Sequence, residues 1–102
     1  MDFHGIIPYL VSPVDPDGKI REGVLRRLVD DLIAAGVHGL SPLGSTGEAV
    51  FLSFEQRVEI VQIVTEQAAG RVPVIPGVAA YSVREAARQA EAFARTGADG
   101  LV

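Results

Sequence analysis

Gly44-Ser45-Thr46-Gly47-Glu48 is the stretch of this chain whose residue types could do chemistry. Two glycines let the backbone turn tightly and come close to a ligand. The two hydroxyl residues between them offer backbone N–H and side-chain O–H donors, and a hydroxyl also accepts. At the exit of a strand and facing the start of a helix, such a turn is an anion cradle. The anion is a phosphate or a carboxylate, and the turn alone leaves both open. The same residues also suit a plain connection. Other reactive groups are sparse. Lys19 is the sole lysine, and in the turn-rich Asp17-Gly18-Lys19 stretch it reads as a solvated surface amine. His4 and His38 have no ligand-spaced partner and read as surface or packing histidines. Glu48 reads as a helix-start carboxylate favoured by the macrodipole. With no cysteine, thiolate chemistry and a disulfide framework are excluded.

Alternating elements must position that turn. Residues 6–11 form a short apolar run bounded by Gly5 and Ser12-Pro13, which predicts a buried strand, although Pro8 cannot donate to a ladder. Asp15-Pro16-Asp17-Gly18 is a turn by composition. Val24, Leu25, Leu28, Val29, Leu32 and Ile33 recur at helical spacing, with Arg26, Arg27, Asp30 and Asp31 opposite them. Gly36 is placed to end this helix in the left-handed region. Residues 39–43 predict a second strand, leading into the glycine-rich turn. Ser53 with Gln56 reads as a capping box, and Phe54, Val58, Val61, Thr65 and Ala68 predict the buried face of a second helix, stopped by Gly70. Residues 72–75 predict a third strand. Ser82 with Glu85 reads as another capping box, Val83, Ala86, Ala87, Ala90, Phe93 and Ala94 as a third helical face, and Gly97 as its stop. Residues 100–102 look like the opening of a fourth strand.

This order predicts parallel strands joined by right-handed crossovers, about 30 residues per unit. An internal echo supports it: Ala35-Gly36-Val37-His38-Gly39-Leu40 resembles Thr96-Gly97-Ala98-Asp99-Gly100-Leu101. In a doubly wound sheet the glycine-rich fingerprint usually follows the first strand, and here it follows the second. In a (β/α)₈ barrel, ligand groups sit on loops after several strands. Such a barrel needs roughly 250 residues, so 102 residues hold about three and a half of its eight units. Both architectures fit the alternation; under the barrel reading, residues 1–102 are the N-terminal portion of a single TIM (β/α)₈ barrel domain, with the remainder absent.

Composition narrows the partners. A 48% hydrophobic and 22% charged chain is ordinary for a globular protein. A net charge of −4 without a basic stripe argues against a nucleic-acid partner. No apolar run approaches the ~20 residues of a membrane span. Met1-Asp2-Phe3-His4 lacks a positive n-region and an apolar h-region, so a cytoplasmic location is expected.

The chain resembles the dihydrodipicolinate synthase / N-acetylneuraminate lyase family of pyruvate-dependent class I aldolases. The matching pieces stand in order: Gly5-Ile6-Ile7-Pro8-Tyr9-Leu10-Val11-Ser12-Pro13, Asp17-Gly18-Lys19-Ile20, Gly36-Val37-His38-Gly39-Leu40, Leu43-Gly44-Ser45-Thr46-Gly47-Glu48, Leu52-Ser53 and Val72-Pro73-Val74-Ile75-Pro76-Gly77-Val78. The Gly-Ser/Thr-Thr-Gly-Glu motif is the most specific of these.

The resemblance implies a (β/α)₈ barrel, usually a homotetramer, working without metal or organic cofactor. It implies a lysine on the sixth strand that forms a Schiff base with pyruvate, and a tyrosine on the fifth that assists proton transfer. By similarity, Ser45, Thr46 and Gly47 form the substrate site. Ser45 and Thr46 receive the pyruvate carboxylate, and Ser45 is also catalytic, as the hydroxyl of a proton relay. Lys19 matches a loop position, so the Schiff-base lysine is expected outside these residues. The chain departs from many relatives at Tyr9, where a small residue is usual. If Tyr9 faces the barrel mouth it narrows or polarises the pocket; otherwise it is a packed aromatic. Gly77-Val78-Ala79 replaces the Gly-Thr-Gly of many synthases, which weakens a specific assignment to dihydrodipicolinate synthesis. Tyr81 follows the third strand and fits either the mouth or a surface loop. Two other readings stand beside the aldolase: a non-catalytic α/β module binding phosphate or nucleotide at the Gly44–Gly47 turn, and a fragment inactive by itself.

Overall fold

Three prolines, Pro8, Pro42 and Pro73, fall in the apolar runs and Pro76 directly follows the third; each removes a donor that a β-ladder would use. The computed structural model describes residues 3–102; the Met1-Asp2 start of the N-terminal reading above lies outside them. Among the described residues, four extended segments, 6–10, 38–42, 73–78 and 99–102, hydrogen-bond side by side in chain order. Tyr9 pairs with Ser41 and Leu40 with Val74, both in parallel sense. Continuous strands, expected from the apolar runs, do not form. The pairing survives only as isolated bridges and alternate hydrogen bonds, because prolines interrupt it.

The sequence echo has a structural counterpart. The His38 N–H donates to the Ile6 carbonyl at 2.8 Å, while its Nδ1 accepts from the Ile6 N–H at 2.9 Å. The Asp99 N–H donates to the Val74 carbonyl at 2.8 Å, while its Oδ2 accepts from the Val74 N–H at 2.9 Å. The next bonds run from the Ser41 N–H to the Pro8 carbonyl and from the Val102 N–H to the Pro76 carbonyl. In both places three steps along one segment match two along the other, which is a bulge. Gly39 lies inside the first bulge, where a Cβ would press on the Ile7 side chain at 3.1 Å and on the Pro73 carbonyl at 3.3 Å. His38 is therefore a backbone clip, and it also packs on His4 with ring centroids 4.9 Å apart.

Helix α1 spans Glu22–Ala34 and buries Leu25 and Val29, as its periodicity predicts. It ends in a Schellman arrangement. Gly36 has φ +96°, its N–H bonds to the Ile33 carbonyl, and the Val37 N–H bonds to the Leu32 carbonyl. Helix α2 spans Phe54–Ala68 and opens with the full Ser53–Gln56 capping box. Its left-handed cap is Ala69 at φ +50°, one residue before the expected Gly70. Its buried residues are Arg57, Ile60, Val61, Ile63, Val64 and Ala68. The predicted stripe through Phe54, Val58 and Thr65 is only half-buried. That side leans toward α3, where Phe54 and Val58 share a cleft with Ala92 and Thr96.

Helix α3 spans Val83–Arg95, and its buried residues are Gln89 and Phe93. The face is rotated from the predicted one, so Val83, Ala87 and Ala94 are exposed. Only half of its expected capping box forms. The Ser82 hydroxyl accepts from the Glu85 N–H, whereas the Glu85 carboxylate turns toward Arg88. Leu10, Leu25, Val29, Leu40, Val61, Val64 and Phe93 meet in one core between the segments and the helices. A fully buried Leu such as Leu25 contributes about 1.5–3 kcal/mol of apolar burial.

Candidate functional site

Leu43 leaves the second segment with φ +67°, a left-handed conformation that a branched side chain rarely adopts. Glu48, at the other end of the turn, has φ +54°. Two strained residues thus bracket Gly44 to Gly47, and such strain persists only where the surroundings impose it. The surroundings are the third segment and the exit of the first. The Gly77 N–H donates to the Pro42 carbonyl at 2.9 Å, and a Cβ on Gly77 would come within 2.5 Å of the Leu43 carbonyl oxygen. A Cβ on Gly47 would come within 2.8 Å of the Leu10 carbonyl oxygen and 2.9 Å of the Ser12 Oγ. Glycine is needed at both positions for close backbone approach.

Inside the turn, the Gly47 N–H donates to the Gly44 carbonyl and the Glu48 N–H to the Ser45 carbonyl, both at 3.0 Å. Those donors are spent on the turn itself. Among the described residues, no hydrogen bond engages the N–H or hydroxyl of Ser45 or Thr46, and both side chains are exposed. They line an open cavity of about 640 Å³ with Tyr9, Leu43, Gly44 and Glu48 on one side and Gly77, Val78 and Ala79 on the other. The turn therefore offers a small cluster of exposed, unspent donors at the cavity wall.

Three expectations need correction. Gly47 is buried under the turn with its N–H committed, so it shapes the cradle and does not line it. The turn does not open directly onto α2. A single 3₁₀ turn, Ala49–Phe51, intervenes, and α2 begins at Phe54. Glu48 accordingly lies outside the N-terminal turn of α2, where the helix dipole acts, and instead borders the cavity. The cradle's donors come from the turn alone.

Tyr9 faces the cavity, and Leu10 beside it points into the core, as the period of two requires. Tyr81 is fully exposed and borders a separate cleft lined by Arg57, Glu85 and Gln89. Lys19 is exposed in its loop, away from the cavity.

The sequence reading missed the residues that hold the loop after the third segment. Buried Arg57 donates to the Leu52 carbonyl at 3.2 Å and to the Ala79 carbonyl at 2.6 Å. Gln89 accepts from the Ala79 N–H and donates to its carbonyl. The signal was a polar residue at a core-facing helical position. Ser12 was missed too; its Oγ is buried beside Gly47 with no partner among the described residues.

A sequence model described as the dihydrodipicolinate synthetase family matches residues 2–102. The chain belongs to that family. It is 42% identical over 100 residues to a 4-hydroxy-tetrahydrodipicolinate synthase of Acidiphilium cryptum, covering 98% of this chain and 34% of that protein. Among solved structures it is similar to YagE of E. coli K12, a member of the dihydrodipicolinic acid synthase family solved in complex with pyruvate. There the TM-score is 0.93 at 37% identity, over 97% of this chain and 33% of the other. An N-acetylneuraminate lyase of Mycoplasma synoviae gives a TM-score of 0.86 at 32% identity, over 95% and 34%. The chain thus spans about a third of the length of these family members, and over that third it shares their fold.

Proposed function

We propose that residues 1–102 are the N-terminal portion, about three and a half βα units, of a (β/α)₈ barrel. The complete protein is a pyruvate-dependent class I aldolase, acting as a lyase or synthase on an aldehyde-type partner. The observation that carries this reading is the pair of unspent hydroxyl residues, Ser45 and Thr46, side by side on a strained turn at a cavity wall. Family membership then favours the carboxylate of a 2-oxo acid over a phosphate as the anion. Thr46 holds the carboxylate through its N–H and O–H. Ser45 adds a second contact, and its hydroxyl, able to donate and accept, passes a proton between the substrate and a group from the rest of the barrel. Fixing the ketoacid in register removes part of the entropic barrier. The Schiff-base lysine lies beyond Val102, since an exposed Lys19 away from the cavity cannot serve. A cytoplasmic homotetramer is the assembly the family resemblance suggests.

A phosphate- or nucleotide-binding module, the other reading of the turn, gains no support from relatives named as synthases and lyases. Calorimetric titration of the full-length protein with pyruvate, with and without inorganic phosphate, tests the choice. Saturable pyruvate binding that phosphate leaves unchanged is expected. Phosphate binding in the absence of any pyruvate binding would replace the aldolase reading with the module.

A further inference from the structure

Tyr9 belongs to the cavity wall, yet nothing in the carboxylate seat or the proton relay uses it. Its backbone is pinned, because it pairs with Ser41 while the Leu10 N–H bonds to the Ser41 carbonyl at 3.1 Å. Its ring lies directly over Gly44. A Cβ there would stand 2.5 Å from Cδ1 and 3.0 Å from Cε1. Glycine at 44 is thus the space the ring occupies, immediately before Ser45. Tyr9 is 53% exposed and lines the cavity.

We propose that Tyr9 sets the size of the 2-oxo acid donor. The inference rests on the reading of Ser45 and Thr46 as the carboxylate seat. A 2-oxo acid has only a few carbons, so seating its carboxylate there brings the rest of the molecule against whatever flanks Ser45. On the Gly44 side that is a rigid aromatic face with two rotatable bonds, which gives little. The methyl group of pyruvate fits beside it; a longer or branched chain meets the ring. Such pockets distinguish one methylene by about 10–200-fold. The steric wall is the ring itself, and the phenol hydroxyl is not needed for it.

The test traps adducts of pyruvate, 2-oxobutyrate and 2-oxoisovalerate with borohydride on the full-length protein, with initial rates read by mass spectrometry. The native protein should favour pyruvate over 2-oxobutyrate by about tenfold or more. Tyr9→Phe should keep that ratio, and Tyr9→Ala should reduce it by about tenfold and admit 2-oxoisovalerate. Tyr9→Leu, which keeps an apolar side chain of intermediate size, should give an intermediate ratio and serves if Tyr9→Ala does not fold. An unchanged ratio in Tyr9→Ala or Tyr9→Leu, with pyruvate still trapped, overturns the inference and leaves the carboxylate seat standing. A Tyr9→Phe ratio that falls as far as that of Tyr9→Ala overturns the steric basis. Absence of any pyruvate adduct on the native protein defeats the seat and this inference with it.

Discussion

The two hydroxyl residues of the turn differ in what they stand to lose. Thr46→Val keeps the shape and removes a donor to a charged group, so pyruvate binding to the full-length protein should weaken by about 1.5–3 kcal/mol. Calorimetry reads this directly, and unchanged affinity would take Thr46 out of the site. Ser45→Ala should lower turnover by about 10²–10⁴-fold while changing pyruvate affinity far less, because a relay hydroxyl acts in proton transfer. Equal losses in turnover and affinity would make Ser45 a plain ligand. The exposure of Ser45 and Thr46 was legible because hydroxyl residues between glycines favour an open turn. The committed N–H of Gly47 was not, since whether a glycine lines a site or lies beneath it depends on the backbone packed against it. Leu43 gave no warning of its positive φ either; its carbonyl lies against Gly77, 34 positions along the chain.

Helices α1 and α2 are joined across their outer faces by a polar clasp. Arg71 pairs with Asp30 at 2.7 Å, Gln67 donates to Asp30 at 2.8 Å, and Arg26 bridges Glu22 and Glu66. Hydrogen bonding from Arg71, then from Gln67, holds the Asp30 carboxyl below its ordinary value. Arg26 does the same to Glu66, with Gln62 adding to it. A carboxyl depressed by folding contributes stability above its unfolded pKa and loses it as pH falls through the folded value. Asp30→Asn should therefore lower the Tm of the full-length protein at neutral pH, with the difference closing in acid and shrinking in salt. A difference that stays constant from neutral to acidic pH would show that the clasp contributes nothing. The helices themselves were legible from capping residues and apolar spacing. The rotated faces of α2 and α3 were not. Both helices are apolar on more than one side, and the choice of buried side follows from what lies beside them. The strands were the least legible element, because the apolar runs that predict them also hold prolines that break their ladders.

At the scale of the molecule, the described segments expose Ile6 on the first of the four and Leu101 and Val102 on the last. In a closed barrel the remaining strands and helices cover such surfaces, and without them they are open edges prone to association. The repeated clip, His38 on Ile6 and Asp99 on Val74, shows one supersecondary unit used twice, as the echo in the sequence suggested. Chemistry is divided in the same way. On the proposed reading, these residues supply the carboxylate seat, and the electrophile-activating amine comes from elsewhere in the complete protein. Lys19 is exposed in its loop and does not line the cavity, so its amine does not reach a ketoacid seated there. Incubation of the full-length protein with pyruvate, reduction with borohydride and peptide mapping by mass spectrometry tests this division directly. The expected result is a stoichiometric adduct on one lysine beyond Val102, with Lys19 unmodified. An adduct on Lys19, or no adduct anywhere in the chain, would contradict it.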